Sequence, residues 1–278
     1  MNSVPPRACS KSPARPDPYA VDNGNTLAWT AQYQSTVFQA GHALGLPVIN
    51  MSFGQGWTAA NEWHGDYDKV GDLSSVCDFA NAHTYPASAP RSSIQLLDGD
   101  AKLAASQRPV IATELGYDTN SVDQVSAAKW SLDAVFDGVK ENVVKTYFYA
   151  LFNDGSGAFG LMNDDLTPKP AGAAIHNLVA LLADPGATAA TFTSTALAFT
   201  VSNDDDTVLL QKSDGSYWLA IWNEKIGPHS TTVSFGTAAS RLQVFDPLAG
   251  TGGGQSASNT SSITLSVPDH PVLLEFVP

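Results

Sequence analysis

The chain is poor in cysteine, in charge and in long apolar runs, and each shortage excludes something. Two cysteines in 278 residues, Cys9 and Cys77, lie too far apart in sequence to suggest a disulfide framework, and neither belongs to a metal-ligand spacing. No segment is long and apolar enough to span a bilayer, so no membrane is expected as partner. Charged residues make up only 15% of the chain, and the 14 Lys and Arg are outnumbered by 27 Asp and Glu, for a net charge of -13. That balance argues against nucleic acid, because a polyanion would be repelled. The opening residues, Met1 to Lys11, carry positive charge but no apolar stretch, so they do not read as a signal peptide. The deficit in charge is filled by Ser, Thr, Asn, Ala and Gly, a composition that suits an exported parent protein and a neutral ligand such as a sugar.

What is present falls into two textures. After a head over residues 1–19 that is expected to be unstructured, residues 20–186 alternate helical and strand-like segments. Helical periodicity runs from Thr26 to Ala40, with Gly45 as a stop, around Ser93 to Ser106, from Ser121 to Val139 with Ser121 as N-cap, and from Pro170 to Leu182. Apolar runs lie between them, at Leu46 to Phe53, Cys77 to Tyr85, Pro109 to Thr113 and Val144 to Phe152. They lack clean alternation, as expected of parallel strands buried on both faces. The pattern predicts an α/β unit of about four βα repeats, fewer than the eight of a closed barrel of about 250 residues.

Residues 187–278 are rich in Thr, Ser, Val and Leu, with turn signals at 202–206, 213–216 and 246–250. They predict an all-β sandwich with strands at 208–212, 217–222, 242–245 and 272–276. Thr251 to Ser262 reads as a flexible tip, and Asp204 to Asp206 as a solvated hairpin turn rather than a calcium loop. Trp218 and Trp222 share strand parity and are assigned to the core rather than to a sugar-stacking platform.

Chemistry in parallel α/β units gathers at the C-terminal strand ends. These present Asn50 on the first strand, Asn81, His83 and Tyr85 on the second, Thr113 and Glu114 followed by Tyr117 on the third, and Tyr147 and Tyr149 on the fourth. Carboxylates for chemistry, amides and hydroxyls for sugar OH groups and aromatic planes for sugar faces are the parts of a saccharide site. Glu114 stands out because it closes the apolar run Val110-Ile111-Ala112-Thr113, where a carboxylate is costly unless paired. On the residues alone it is either catalytic or a salt-bridged or capping glutamate. His83 is either part of a site or a satisfied structural histidine.

Thr113-Glu114-Leu115-Gly116-Tyr117 after Pro-Val-Ile-Ala, Asn81-Ala82-His83-Thr84-Tyr85-Pro86, and Tyr147-Phe148-Tyr149 before Phe159-Gly160-Leu161 resemble the last strands of clan A retaining glycoside hydrolases. So does Pro168-Lys169-Pro170-Ala171 leading into a helix and then a β domain. The resemblance covers roughly residues 20 to 278. It implies the C-terminal half of a (β/α)₈ TIM barrel followed by a β-sandwich, a carbohydrate substrate, no cofactor and no metal. It also implies that Glu114 is the nucleophile, with Asn50, His83, Tyr85, Tyr117, Tyr147 and Tyr149 as substrate-binding candidates. The clan's acid/base is the glutamate of an Asn-Glu pair, which would fall shortly before Tyr19, where the sequence has none. Asn61-Glu62 and Asp17 are the substitutes at hand, and the start reads as truncated. The alternative is therefore a catalytically impaired fragment or a saccharide-binding remnant. Half a barrel also leaves edges open, for which self-association is a remedy.

Overall fold

The computed structural model of the chain describes residues 26–52, 67, 69–86, 91–155, 157–224 and 227–278. The head 1–19, Asp17 and the Asn61-Glu62 pair lie outside these residues. The chain divides into two compact units, one of Met1–Pro86, Ser92–Gly116 and Asp137–Tyr149, the other of Ala87–Arg91, Tyr117–Phe136 and Ala150–Pro278.

In the first unit, β1 (Ala80–Thr84), β2 (Val110–Leu115) and β3 (Val143–Phe148) form a parallel sheet in that order. The segment at Val48 to Asn50 runs alongside β1: Asp78 N–H donates to the Val48 carbonyl (2.7 Å) and Asn50 N–H to the Phe79 carbonyl (2.8 Å), with a parallel bridge between Ile49 and Phe79. Three of the four strands expected from the apolar runs are therefore in place, and the first, expected over Leu46 to Phe53, is reduced to a single bridge at Ile49. One face of the sheet carries Ala80, Ala82, Val110 and Ala112, packed with Ala101 and Ala104 of α2 (Arg91–Ala104) and with Ala105. Side chains this small let helix and sheet approach closely, and Met51, Tyr67, Cys77 and Val143 complete the cluster.

Helix α1 (Thr26–Ala43) buries Thr30, Gln34 and Gly41, one stripe at helical spacing. Gln34 Nε2 donates to the Val76 carbonyl at 2.9 Å. A Cβ on Gly41 would fall 2.5 Å from a Val48 methyl, so only glycine fits. The helix stops where the sequence predicts. Gly45 takes a left-handed φ of 68°, and its N–H donates to the His42 carbonyl while Leu46 N–H donates to the Gly41 carbonyl, a Schellman closure. His42 then lies 2.9 Å from Asp78, which also accepts from Val48 N–H at 2.7 Å. Burial alone would raise the Asp78 carboxyl, but the bonds from His42 and Val48 outweigh it and hold the group below its ordinary value.

The second unit is built on a six-stranded sheet of order β4 (Phe199–Val201), β7 (His229–Phe245), β9 (Val272–Val277), β6 (Tyr217–Trp222) and β5 (Asp206–Gln211), with β8 (Gly253–Val267) paired to β7. All its pairings are antiparallel. The sequence reading anticipates two sheets; instead, the 17-residue β7 belongs to both arms of a single sheet. Its first half pairs with β4 and its second half with β9, with a register break between Ser234 and Ala239. The curled sheet packs against itself: Leu219, Ile221 and Leu274 share a cluster with Val233, Phe235, Ile263 and Leu265.

Strand β6 is buried along its whole length. Its alternate residues Trp218, Ala220 and Trp222 face a second cluster. That cluster contains Ala128, Leu132 and Phe136 of α3 (Gln124–Lys140) and Ala174, Leu178 and Leu181 of α4 (Pro170–Leu182). The two tryptophans are thus core residues, as their parity suggests. Three expectations are corrected. Helix α3 begins at Gln124, and its cap is Asp123, whose carboxylate accepts from the N–H groups of Val125 and Ser126, instead of Ser121. Residues expected as a flexible tip, Gly253 to Ser262, belong to β8; both faces of that stretch are largely exposed, so no alternation marks it as strand. Asp205 is not in a solvated turn: its side chain has 0% exposure, lies 2.8 Å from His229 Nε2 and accepts from Thr231 (2.5 Å).

Candidate active site

Along β1 the side chains alternate between the Ala-lined face and the opposite one, which receives Asn81, His83 and, just past the strand, Tyr85. Strict alternation along β2 would place Glu114 with Val110 and Ala112, among the alanines of α2. A bulge prevents this. Ala82 and His83 are adjacent on β1, yet their partners are Ala112 and Glu114, so β2 carries one residue more than its neighbour there. Opposite β3 the count agrees, because Ala112 and Leu115 face Thr146 and Phe148. The extra residue turns Glu114 onto the face of its partner His83, and Thr113 stays on that face, where its hydroxyl donates to Asn81 Oδ1 (2.7 Å).

Glu114 Oε2 accepts from the Tyr85 hydroxyl at 2.5 Å and lies 3.2 Å from His83 Nδ1. The carboxylate side chain keeps 33% exposure and His83 16%, so the group is held but still reachable. The Tyr149 ring stands edge-on to the Tyr85 ring at 6.2 Å, fixing the plane of the tyrosine that donates to Glu114. Tyr149 N–H also donates to the Leu115 carbonyl, which extends the β2–β3 pairing past the end of β3. A short bond from a neutral hydroxyl to a carboxylate is the charge-assisted kind, and it orients one oxygen while leaving the other for chemistry.

Behind these groups runs a buried polar ladder. Asn81 Nδ2 donates to the Asn50 carbonyl (2.9 Å), and the Tyr67 hydroxyl donates to the Asn81 carbonyl (3.0 Å). The Asn50 side chain has 0% exposure, and neither of its amide atoms has a hydrogen-bond partner among the described residues. Such a group costs about 1–3 kcal/mol unless something fills its bonds.

Of the residues singled out from sequence, Glu114, His83, Tyr85 and Tyr149 come together, and Asn50 joins through the ladder. Tyr147 projects from β3 with 48% exposure. Tyr117 belongs to the second unit, where its ring packs on Trp130 at 5.7 Å and its hydroxyl donates to the Trp130 carbonyl (3.4 Å). Sequence reasoning did not single out Tyr67, which carries no local signal. It left Asn81 and Thr113 at strand ends without a role, although polar residues inside apolar strands are signal enough. Among the described residues no group of three or more His, Cys, Asp or Glu could hold a metal ion, and no helix is long and apolar enough to cross a membrane.

Solved structures share this fold. A Paenibacillus polymyxa xyloglucanase of glycoside hydrolase family 44 superposes over 91% of this chain with a TM-score of 0.56 and 12% identity. The catalytic domain of xylanase C, family GH30, from Talaromyces cellulolyticus does so over 91% with a TM-score of 0.53 and 13% identity. The likeness to these two glycoside hydrolases is one of fold. The chain spans 61% and 57% of those two longer chains. No protein-family model matches the sequence. A curated relative, the mitogen-activated protein kinase kinase kinase mkh1 of Cytospora mali, is 25% identical over an alignment 203 positions long, which covers 62% of this chain and 10% of that protein. So small a share of the relative says nothing about the chemistry of this chain.

Proposed function

We propose that the protein is a glycoside hydrolase that cleaves O-glycosidic bonds with retention, and that Glu114 is its nucleophile. The observation that carries this reading is the β2 bulge, which turns a strand-end carboxylate away from the helix-facing core and onto the hydroxyl of Tyr85 and the ring of His83. Backbone irregularities that re-aim one side chain are a mark of functional sites. In this reading residues 20–186 are the C-terminal half of a (β/α)₈ barrel and residues 187–278 a β-sandwich domain.

In the first half-reaction a Glu114 oxygen attacks the anomeric carbon, a carbon–oxygen bond forms, and the bond to the leaving oxygen breaks. The leaving oxygen takes a proton from an acid. Water then attacks the glycosyl ester, its proton is removed by the conjugate base, and Glu114 is released as carboxylate. The bond from Tyr85 holds the attacking group in one orientation through both steps, while His83 and the ring of Tyr149 offer imidazole and aromatic contacts to the sugar; Asn50, fully buried, supports Asn81 from behind instead of touching the ligand. The acid/base must be a second carboxyl about 5–5.5 Å from the nucleophile. Glu62 and Asp17, the two substitutes in the sequence, lie outside the described residues. Neutral polysaccharides such as xylan and xyloglucan suit an acidic protein and are the first substrates to assay.

The Glu114→Gln variant should lose turnover by roughly ten-thousandfold or more while melting like the wild type. Mass spectrometry after incubation with a 2-fluoro glycoside bearing an activated leaving group should show one glycosyl adduct on Glu114, because that leaving group needs no acid. Turnover that survives in Glu114→Gln overturns the assignment. Labelling without turnover of natural glycans would instead identify a remnant lacking its acid.

A further inference from the structure

Helix α1 turns half-buried Leu27, Val37 and Phe38 away from solvent, yet it also exposes two large aromatic residues on its outer face. Its buried stripe is Thr30, Gln34 and Gly41, whereas Trp29 and Tyr33 face outward with 57% and 48% exposure. Trp29, Gln32, Tyr33, Thr36 and Ala40 follow the i, i+3, i+4 spacing, so they form one continuous exposed face. That face carries no charge. No Asp, Glu, Lys or Arg occurs between Asp22 and Glu62, in a chain whose net charge is -13. Solvated helix faces are normally rich in charge, and large exposed aromatics without it mark a contact surface.

We propose that this face of α1 is a binding site for a neutral polysaccharide chain, additional to the Glu114 carboxylate. Trp29 and Tyr33 stand one helical turn apart, with about 5–6 Å between their Cβ atoms, so that successive sugar rings can each lie against an aromatic plane. Gln32 and Thr36 beside them offer an amide and a hydroxyl to the sugar hydroxyls. A neutral ligand meets no repulsion from the acidic chain, whereas an acidic polysaccharide does. A second copy of the chain fits less well. The face is about 16 Å long and about 10 Å wide, several-fold less than the roughly 800 Å² each partner buries in a stable interface, and the copy would bring its own charge of -13. The site does not depend on hydrolysis, so it is tested apart from the proposed chemistry.

The experiment is affinity electrophoresis of the full chain through gels containing xylan, xyloglucan or, as an anionic control, polygalacturonate. The wild type, the Trp29→Ala/Tyr33→Ala double variant, Trp29→Phe and Glu114→Gln are compared, with light scattering for mass. The neutral gels are expected to retard the wild type, Trp29→Phe and Glu114→Gln alike, the double variant at least tenfold less, and the anionic gel none of them. Three results each overturn the proposal: no retardation of the wild type in either neutral gel, equal retardation of the double variant, or a wild-type dimer that the double variant abolishes. Circular dichroism of the double variant guards against misfolding, and a loss of binding that also appears in Trp29→Phe, which keeps an aromatic plane, counts against the proposal. Turnover by Glu114→Gln would refute the nucleophile and leave this site standing.

Discussion

At the scale of single residues, the bond from Tyr85 to Glu114 is the contact whose worth can be measured most directly. A hydrogen bond to a charged group contributes about 1.5–3 kcal/mol, and each 1.4 kcal/mol is about a factor of ten in rate. Tyr85→Phe keeps the ring that packs edge-on to Tyr149 and removes only the donor. It should lower kcat on a cleavable glycoside by roughly ten- to hundredfold, with KM changed far less; equal effects on both would assign Tyr85 to sugar binding rather than to holding the carboxylate. Glu114 could be picked out of the sequence because it ends an apolar run, yet its orientation could not. Parity counting from Val110 sends it among the alanines of α2, and only the extra residue in β2 reverses that. Bulges leave no mark in composition or period, so the site's most consequential feature was invisible beforehand. Asp205 was misread for a related reason: three aspartates in a row look solvated until His229 and Thr231 arrive from a strand distant in sequence.

At the scale of elements, helices were legible to within a few residues because periodicity and stop signals agreed. Gly45 closes α1 in the left-handed conformation the sequence suggests. The start of α3 shows the limit of such reading, since Ser121 and Asp123 are both good caps and only geometry chooses between them. Asp123 accepts from the Val125 and Ser126 amides and from the Ser126 hydroxyl (2.6 Å), and these bonds, the hydroxyl's first, hold its carboxyl below the ordinary value. Asp123→Ala should therefore lower the urea midpoint measurably, whereas Ser121→Ala should change it little; the reverse order would restore Ser121 as the cap. In β8 the first ten residues are Ser, Thr, Gly, Asn and Gln with a single alanine, Ala257, and both faces are largely exposed, so no hydrophobic alternation could report a strand. Its ladder with β7 supplies what its side chains do not.

At the scale of the whole molecule, the acidic balance makes low pH the natural stress. In the second unit, His270 lies 3.0 Å from Asp246 and 3.4 Å from Asp269, and Lys129 binds Asp269 at 2.8 Å. Burial would raise the Asp246 carboxyl, but the bond and charge of His270 outweigh it; for Asp269 the bond from Lys129 leads. Both groups sit below the ordinary 3.8. A carboxyl lowered by folding stabilises the native state at pH values above its unfolded pKa, and the contribution is lost as pH falls through the folded pKa. The urea midpoint should therefore drop as pH is lowered past about 4, and Asp246→Asn should flatten that drop while costing stability at pH 7. An unchanged profile in the variant would refute the linkage. The two-faced burial of β6 has a kinetic consequence for the same unit. An amide there exchanges with solvent only when packing on both faces is lost, so β6 should keep its protons until the unit unfolds as a whole, while the exposed first half of β8 exchanges through local fraying. One sheet thus runs two clocks, a slow one set by its centre and a fast one at its outer arm.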